Sequence, residues 1–414
     1  MAHASLLVRA AWICPVAQPP IRDGWVHIAD EVVTAVGQGP GAPAAARVED
    51  LGSVVVLPGL INAHTHLELS WLRGRVPPSA DFLTWVGHLM RERTRVETAD
   101  DVAAMTAASD AVAALRASGT VAVGDISNAL ITPALLAAAA VPGVVFHELM
   151  GFRDAVGRAA VAAATARHAA LASANVRIVV APHAPFSVSP ELFRAIRDDV
   201  QSAPRPLTSV HVAESAAEGQ LLKNGSGPWR ERLEALGAWR ADWTPPGCGP
   251  GDYLCDLGVI ARGTLVVHGV QLTERELARI AELGATLVTC PRSNAWVGVG
   301  APPVERFFAS GVALAIGTDS LASAPDLNLF SELAELHRLA PGVPARRLVE
   351  AATQGGATAL QLGERFGRIA PGMSGRLLTV RVPESTSDPE LALVSGVAPE
   401  QIHWVGAGRA ASVH

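Results

Sequence analysis

Histidines and carboxylates recur in this chain at spacings that metal chemistry needs. His64 and His66 are two residues apart. On a strand, residues i and i+2 point to the same side, so both imidazoles can aim at one point. Further on come His211, with Glu214 three residues later, then His268, then Thr318-Asp319-Ser320. Alone, H-x-H is a weak signal, because a pair of histidines on a strand is often polar filler. Joined by a later strand-end His and a strand-end Asp, it becomes a nitrogen/oxygen cage of the kind that holds Zn(II) or Fe(II). Such an ion lowers the pKa of its bound water from ~16 towards ~7, which makes hydroxide available at neutral pH.

These side chains need strands whose ends converge. Eight apolar runs read as strands: 54–63, 121–125, 144–150, 178–181, 207–212, 265–270, 286–289 and 313–317. Amphipathic stretches at 100–118, 158–173, 190–197, 227–236, 273–282, 304–309 and 328–339 read as helices. Continuous Val/Ile runs alternating with helices imply an α/β protein with a parallel sheet covered on both faces. Eight such units in about three hundred residues fit a (β/α)8 TIM barrel. An open doubly wound sheet would carry a Gly-rich turn after its first strand; here that strand runs into Asn62-Ala63-His64-Thr65-His66. Working residues of barrels gather at C-terminal strand ends. His64, His66, Asp125, His211, His268 and Asp319 fall there, and His183 lies two residues past another strand. Asp125 reads as a structural hydrogen-bond acceptor. The two chain ends differ in character, with short strands and turns, among them the hairpin-type dipeptide Asp23-Gly24. The expected organisation is 1–57, then a barrel over 58–370, then 371–414.

Composition narrows the function. Of 414 residues, 49% are hydrophobic and only 17% charged, and the net charge is -6. That balance argues against a nucleic-acid partner, which calls for a basic face. Cys14, Cys248, Cys255 and Cys290 include no C-x-x-C pair; Cys248 with Cys255 is at most a weak disulfide candidate. The apolar stretch 10–16 is short and broken by Pro15, unlike a signal peptide. No run of eighteen apolar residues predicts a membrane span. A cytoplasmic protein without a membrane partner is expected.

The motifs resemble a known family. The stretch from Pro58-Gly59-Leu60 to His64-Thr65-His66 is similar to the opening signature of the amidohydrolase superfamily. His211-x-x-Glu214, His268-Gly269, Cys290-Pro291-Arg292-Ser293-Asn294 and Gly317-Thr318-Asp319-Ser320 resemble its cytosine, guanine and S-adenosylhomocysteine deaminase branch. Gly367-Arg368-Ile369-Ala370-Pro371-Gly372 resembles that branch's return to a small β domain. The resemblance implies a distorted (β/α)8 barrel with a small β-sandwich built from both chain ends. It also implies one divalent metal, zinc first and iron second, on His64, His66, His211 and Asp319. Glu214 would shuttle protons, His268 would position the attacking water, and Asp319 would accept its proton. His183, in Ala181-Pro182-His183-Ala184-Pro185-Phe186-Ser187, would contact substrate, and Ser320 is a further candidate. Phe186 would stack on a ring or pack the core. Glu68 would reach the mouth or face solvent, and Arg73 would bind an anionic or ribosyl tail or be solvated.

Binuclear relatives bridge two metals through a carboxylated lysine at the fourth strand end. The only lysine here, Lys223, lies beyond the fifth strand, which implies a mononuclear site. Ala63-His64-Thr65-His66-Leu67-Glu68-Leu69-Ser70 and Asp319-Ser320-Leu321-Ala322-Ser323 further resemble aminodeoxyfutalosine deaminases. Their substrate is an adenine nucleoside bearing a bulky carboxylated aromatic group. Alternatives are another ring (guanine, a triazine, or a cyclic amide such as imidazolonepropionate) or a non-catalytic metal-binding barrel. A cytidine-deaminase-type site needs H-x-E with P-C-x-x-C; His66-Leu67-Glu68 supplies only the first half. The segment 224–258 reads as a lid or a surface loop. Trp71, Trp85, Trp229, Trp243 and Trp296 follow barrel strands and would stack on a heterocycle or pack. His3, His27, His88, His147, His168, His337, His403 and His414 lack motif context. A homodimer is common for such barrels.

Overall fold

The computed structural model describes residues 5–94, 102–153 and 157–406. His3, His414 and the first residues of the helix expected at 100–118 lie outside them. The chain forms two compact units, one from residues 63–113 and 123–327, the other from 1–62, 114–122 and 328–414.

The fold is mixed α/β with two four-stranded parallel sheets. In the first, β1 (Leu60–Thr65), β2 (Thr120–Ser127), β3 (Gly143–Leu149) and β4 (Val176–Pro182) lie side by side. In the second, the order is β5 (Thr208–Val212), β6 (Thr264–His268), β7 (Thr286–Thr289) and β8 (Ala313–Ile316). Every residue of β1, β2, β5 and β6 is buried. That accounts for their unbroken apolar runs, since both faces of a covered parallel sheet leave water. Among the described residues no ladder joins the two sheets. Single contacts link them instead: His211 N–H donates to the His183 carbonyl at 2.9 Å, and Thr65 forms a parallel bridge with Asp319.

Three helices matter for the site. In α1 (Phe82–Arg93) the Asp81 carboxylate caps the start by accepting from Thr84 N at 2.8 Å. Helix α2 (Ala216–Asn224) stops at Gly225, whose φ of 65° is the left-handed cap that glycine tolerates. Pro228 opens α3 (Pro228–Ala235), where its missing N–H costs nothing.

The end segments form a seven-stranded, largely antiparallel sheet around Val8, Ile13, Val26, Val33, Val56 and Leu377. Two expectations need correcting here. The run 54–63 is two strands, Val54–Pro58 in this sheet and β1 in a parallel one. They divide at Gly59, where a Cβ would sit 2.6 Å from that of Val121. Asp23-Gly24 is no hairpin turn but lies inside strand Ile21–Ala29. The two-residue turn is Asp30-Glu31, with φ of 50° and 63°.

Candidate active site

The C-terminal ends of β1, β5, β6 and β8 bring His64, His66, His211, His268 and Asp319 into one cluster. The His64 ring centroid lies 4.9 Å from His66, 5.0 Å from His211 and 5.8 Å from His268. Asp319 Oδ1 is 3.4 Å from His66 Nε2 and 3.7 Å from His64 Nε2. One ligand atom from each of His64, His66 and Asp319 falls within 4.8 Å of the others, and the same holds for His64, His211 and His268. The backbone bends sharply to achieve this: Ala213, His268 and Asp319 take left-handed φ of 53°, 71° and 58°. Non-glycine residues persist in that region only where the surroundings impose it.

A second set of contacts orients these side chains. His211 Nδ1 donates to the His183 carbonyl at 3.0 Å, which leaves Nε2 as the nitrogen that could bind a metal. Asp319 Oδ2 accepts from Ser293 Oγ at 2.6 Å and from Ser323 Oγ at 3.1 Å. His268 Nδ1 lies 3.1 Å from Asn294 Nδ2. Ser293 and Asn294 thus serve the cluster from one motif, and Arg292 anchors that motif through Asp326 at 2.8 and 3.0 Å.

Burial holds the imidazoles of His66 and His268 far below the usual histidine range and takes His211 down to about 4. Burial alone would raise Asp319, but the hydrogen bond from His64 and the neighbouring imidazoles outweigh it and hold the carboxyl well below its ordinary value. Imidazole nitrogens around one buried carboxylate suit a divalent cation by donor chemistry. Glu214 runs the other way. Burial first, then Asp319 and Glu218, push its carboxyl well above the ordinary value. Its Oε1 stands 3.6 Å from His268 Nε2. Lys223 is exposed in the last turn of α2.

A cavity of about 510 Å3 opens on the cluster, lined by His66, His211, Glu214, His268, Asp319, His183, Phe186 and Ser320 among others. The Phe186 ring stacks on Trp229 with centroids 3.8 Å apart, so α3 carries part of the 224–258 segment into the wall. His183 is pushed down to about 4 by burial and then by Arg93. Two candidates stand elsewhere. Glu68 is buried, but its carboxylate accepts from Ser127 Oγ, Asn128 N and Ala129 N, so it braces the turn after β2 and does not line the cavity. Arg73 is exposed just past the short helix Leu67–Leu72. Asp125 accepts from Leu67 N at 2.8 Å and Thr132 Oγ1 at 2.6 Å. Of the tryptophans, Trp85 and Trp229 line the cavity, while Trp243 packs on Phe152 and Trp296 donates to the Val76 carbonyl.

Sequence reasoning passes over Glu148 and Arg93. Glu148 lines the cavity 3.5 Å from His211 Nδ1 and accepts from Asn128 Nδ2 at 3.0 Å. A carboxylate next to the end of a buried strand was the available signal. Arg93 had none, since an arginine in the last turn of a helix is ordinary.

Comparison with known proteins places these features in context. The amidohydrolase family matches residues 55–403. The aminodeoxyfutalosine deaminase of Deinococcus radiodurans is 35% identical over 357 residues, 82% of this chain and 81% of the relative. The Helicobacter pylori aminofutalosine deaminase, solved in complex with methylthio-coformycin, superposes with a TM-score of 0.81 at 26% identity, covering 94% of this chain and 95% of that one. An adenosine deaminase from Xanthomonas campestris with bound zinc gives 0.80 at 25% identity, covering 96% and 90%.

Proposed function

The chain belongs to the amidohydrolase family, and from that premise we propose that it is a mononuclear metal-dependent aminohydrolase of an adenine-type nucleoside, aminodeoxyfutalosine first. One observation carries this reading: His66, His211, His268 and Asp319 face the same cavity as Glu214, whose carboxyl burial pushes well above its ordinary value. His64, His66, His211 and Asp319 would hold one divalent ion, zinc by preference, which when bound supplies an acidified water at neutral pH. Asp319 would take up a proton from the attacking water. Glu214 hands its proton to the ring nitrogen beside the attacked carbon, takes another from the hydroxyl now on that carbon and passes it to the departing ammonia, after which the proton on Asp319 restores Glu214. A carboxyl lifted by burial is suited to both transfers. His268, oriented by Asn294, holds the water, while His183 and Ser320 contact the substrate. Water and an aminopurine thus become an oxopurine and ammonia.

The two parallel sheets read as a distorted eight-stranded barrel with weak seams, and the end sheet as a small β-sandwich, with 58–370 as the catalytic segment. Four free cysteines suit a reducing cytoplasm. Ammonia release from metal-loaded protein tests the reading against aminodeoxyfutalosine, adenosine, S-adenosylhomocysteine, 5′-methylthioadenosine, guanine and cytosine. Release from an adenine nucleoside is expected. Release from none, with metal present, would overturn the deaminase reading and turn attention to cyclic amides and halogenated rings.

A further inference from the structure

The sequence put a candidate anion-binding arginine at Arg73, which the structure leaves outside the cavity; a different arginine lines it. Phe82, Trp85, Val86, Leu89, Met90 and Arg93 of α1 all face the cavity. Their spacing of three and four residues is that of a single helical stripe. Over the twelve residues of α1 the stripe runs ~16 Å, and it is apolar until Arg93. A stripe of this kind normally meets a core, but this one borders open space. Met90 and Met150 both line the cavity while 42% and 47% exposed. Such adaptable thioethers suit an apolar ligand that extends towards solvent.

Arg93 is half-buried, and among the described residues no carboxylate pairs with it. Its charge reaches His183, where it adds to the effect of burial on that imidazole. A guanidinium at the end of an apolar stripe, close to a residue assigned to substrate contact, calls for a particular ligand shape. The reacting ring is fixed at the metal end by Glu214 and His268. The rest of the nucleoside then extends along α1, where Arg93 is the one arginine or lysine among the described residues that line the cavity.

We propose that Arg93 sets substrate specificity by binding a carboxylate at the end of an aromatic or otherwise apolar 5′ substituent, which the α1 stripe covers. This rests on the aminohydrolase reading above for the placement of the purine. The planar guanidinium fork matches a carboxylate with two parallel hydrogen bonds, which a neutral amide cannot reproduce.

The test compares aminodeoxyfutalosine with its carboxamide analogue. Equilibrium binding is measured on metal-loaded Glu214→Gln protein, so that it is read without turnover. The acid is expected to bind roughly tenfold or more tightly than the amide. Adding Arg93→Gln brings the ratio near one, and Arg93→Lys keeps part of the preference. A ratio near one with Arg93 intact, or a preference that survives Arg93→Gln, would overturn the proposal. Ammonia release with Glu214 intact is scored separately. An Arg93-dependent preference without ammonia overturns the deaminase reading and leaves the role of Arg93 standing. Ammonia without the preference does the reverse, and failure to bind either ligand overturns both.

Discussion

The imidazole cluster draws each member from a strand end, whereas the apolar wall of the same cavity comes from one helix and the segments around it. In the cluster, position along the strand fixes direction, and Thr65, Ser293 and Asn294 lock the result by hydrogen bonds to Asp319 and His268. In the wall, Phe82, Trp85 and Trp229 are held by packing against one another, with centroids about 6 Å apart. On the proposed reading the first arrangement serves bond-making. On the same reading the second serves recognition. Substitutions in the two regions should therefore strike different kinetic constants.

The largest effect belongs to the cluster. Glu214→Gln is expected to lower kcat by ~10²- to 10⁴-fold, the usual contribution of a positioned acid/base group. Steady-state kinetics beside metal analysis checks it, and normal turnover would remove the shuttle role. Next comes the support for the ligands. Ser293→Ala deprives Asp319 Oδ2 of its 2.6 Å donor, and metal affinity should fall ~10- to 100-fold. A chelator competition titration reads this directly, and unchanged affinity would mean that Asp319 is oriented by other groups. On the wall, Trp229→Leu removes the stack on Phe186. It should raise KM about threefold to tenfold with little change in kcat. A fall in kcat with KM unchanged would blur the contrast between the two regions.

The smallest expected effect concerns stability. Asp125 braces Leu67 at the turn after His66, and burial raises its carboxyl from 3.8 to about 8. A pKa raised on folding stabilises fully below the unfolded value and loses that contribution as pH rises through the folded one. The melting temperature of wild type relative to Asp125→Asn should therefore fall between about pH 4 and pH 8. Parallel melting curves across that range would contradict it.

The same contrast decides how much was legible in sequence. His64-x-His66 and His211-x-x-Glu214 carry their geometry in their spacing, and so do the buried Val/Ile runs that became parallel strands. Gly59 hid the break between Val54–Pro58 and β1, because continuous apolar residues look alike whichever sheet they join. Asp23-Gly24 has turn chemistry, yet the neighbouring strand Ser5–Ile13 pairs with this stretch and holds it extended. Glu68 sits close to the candidate ligand His66 in sequence but is consumed by the turn at 127–129. The α1 stripe was beyond reach for a different reason. Amphipathic spacing reports that a face is covered by apolar contacts, and a ligand cavity and a core give the same pattern.

The measurement that bears most directly on the central claim is ammonia release followed while zinc is titrated into metal-free protein, with an adenine nucleoside that the panel identifies. The account predicts that the rate rises from near zero in proportion to bound metal and reaches its plateau at one ion per chain. Equal release by the metal-free protein, or a plateau that requires a second ion, would contradict a mononuclear centre on His64, His66, His211 and Asp319.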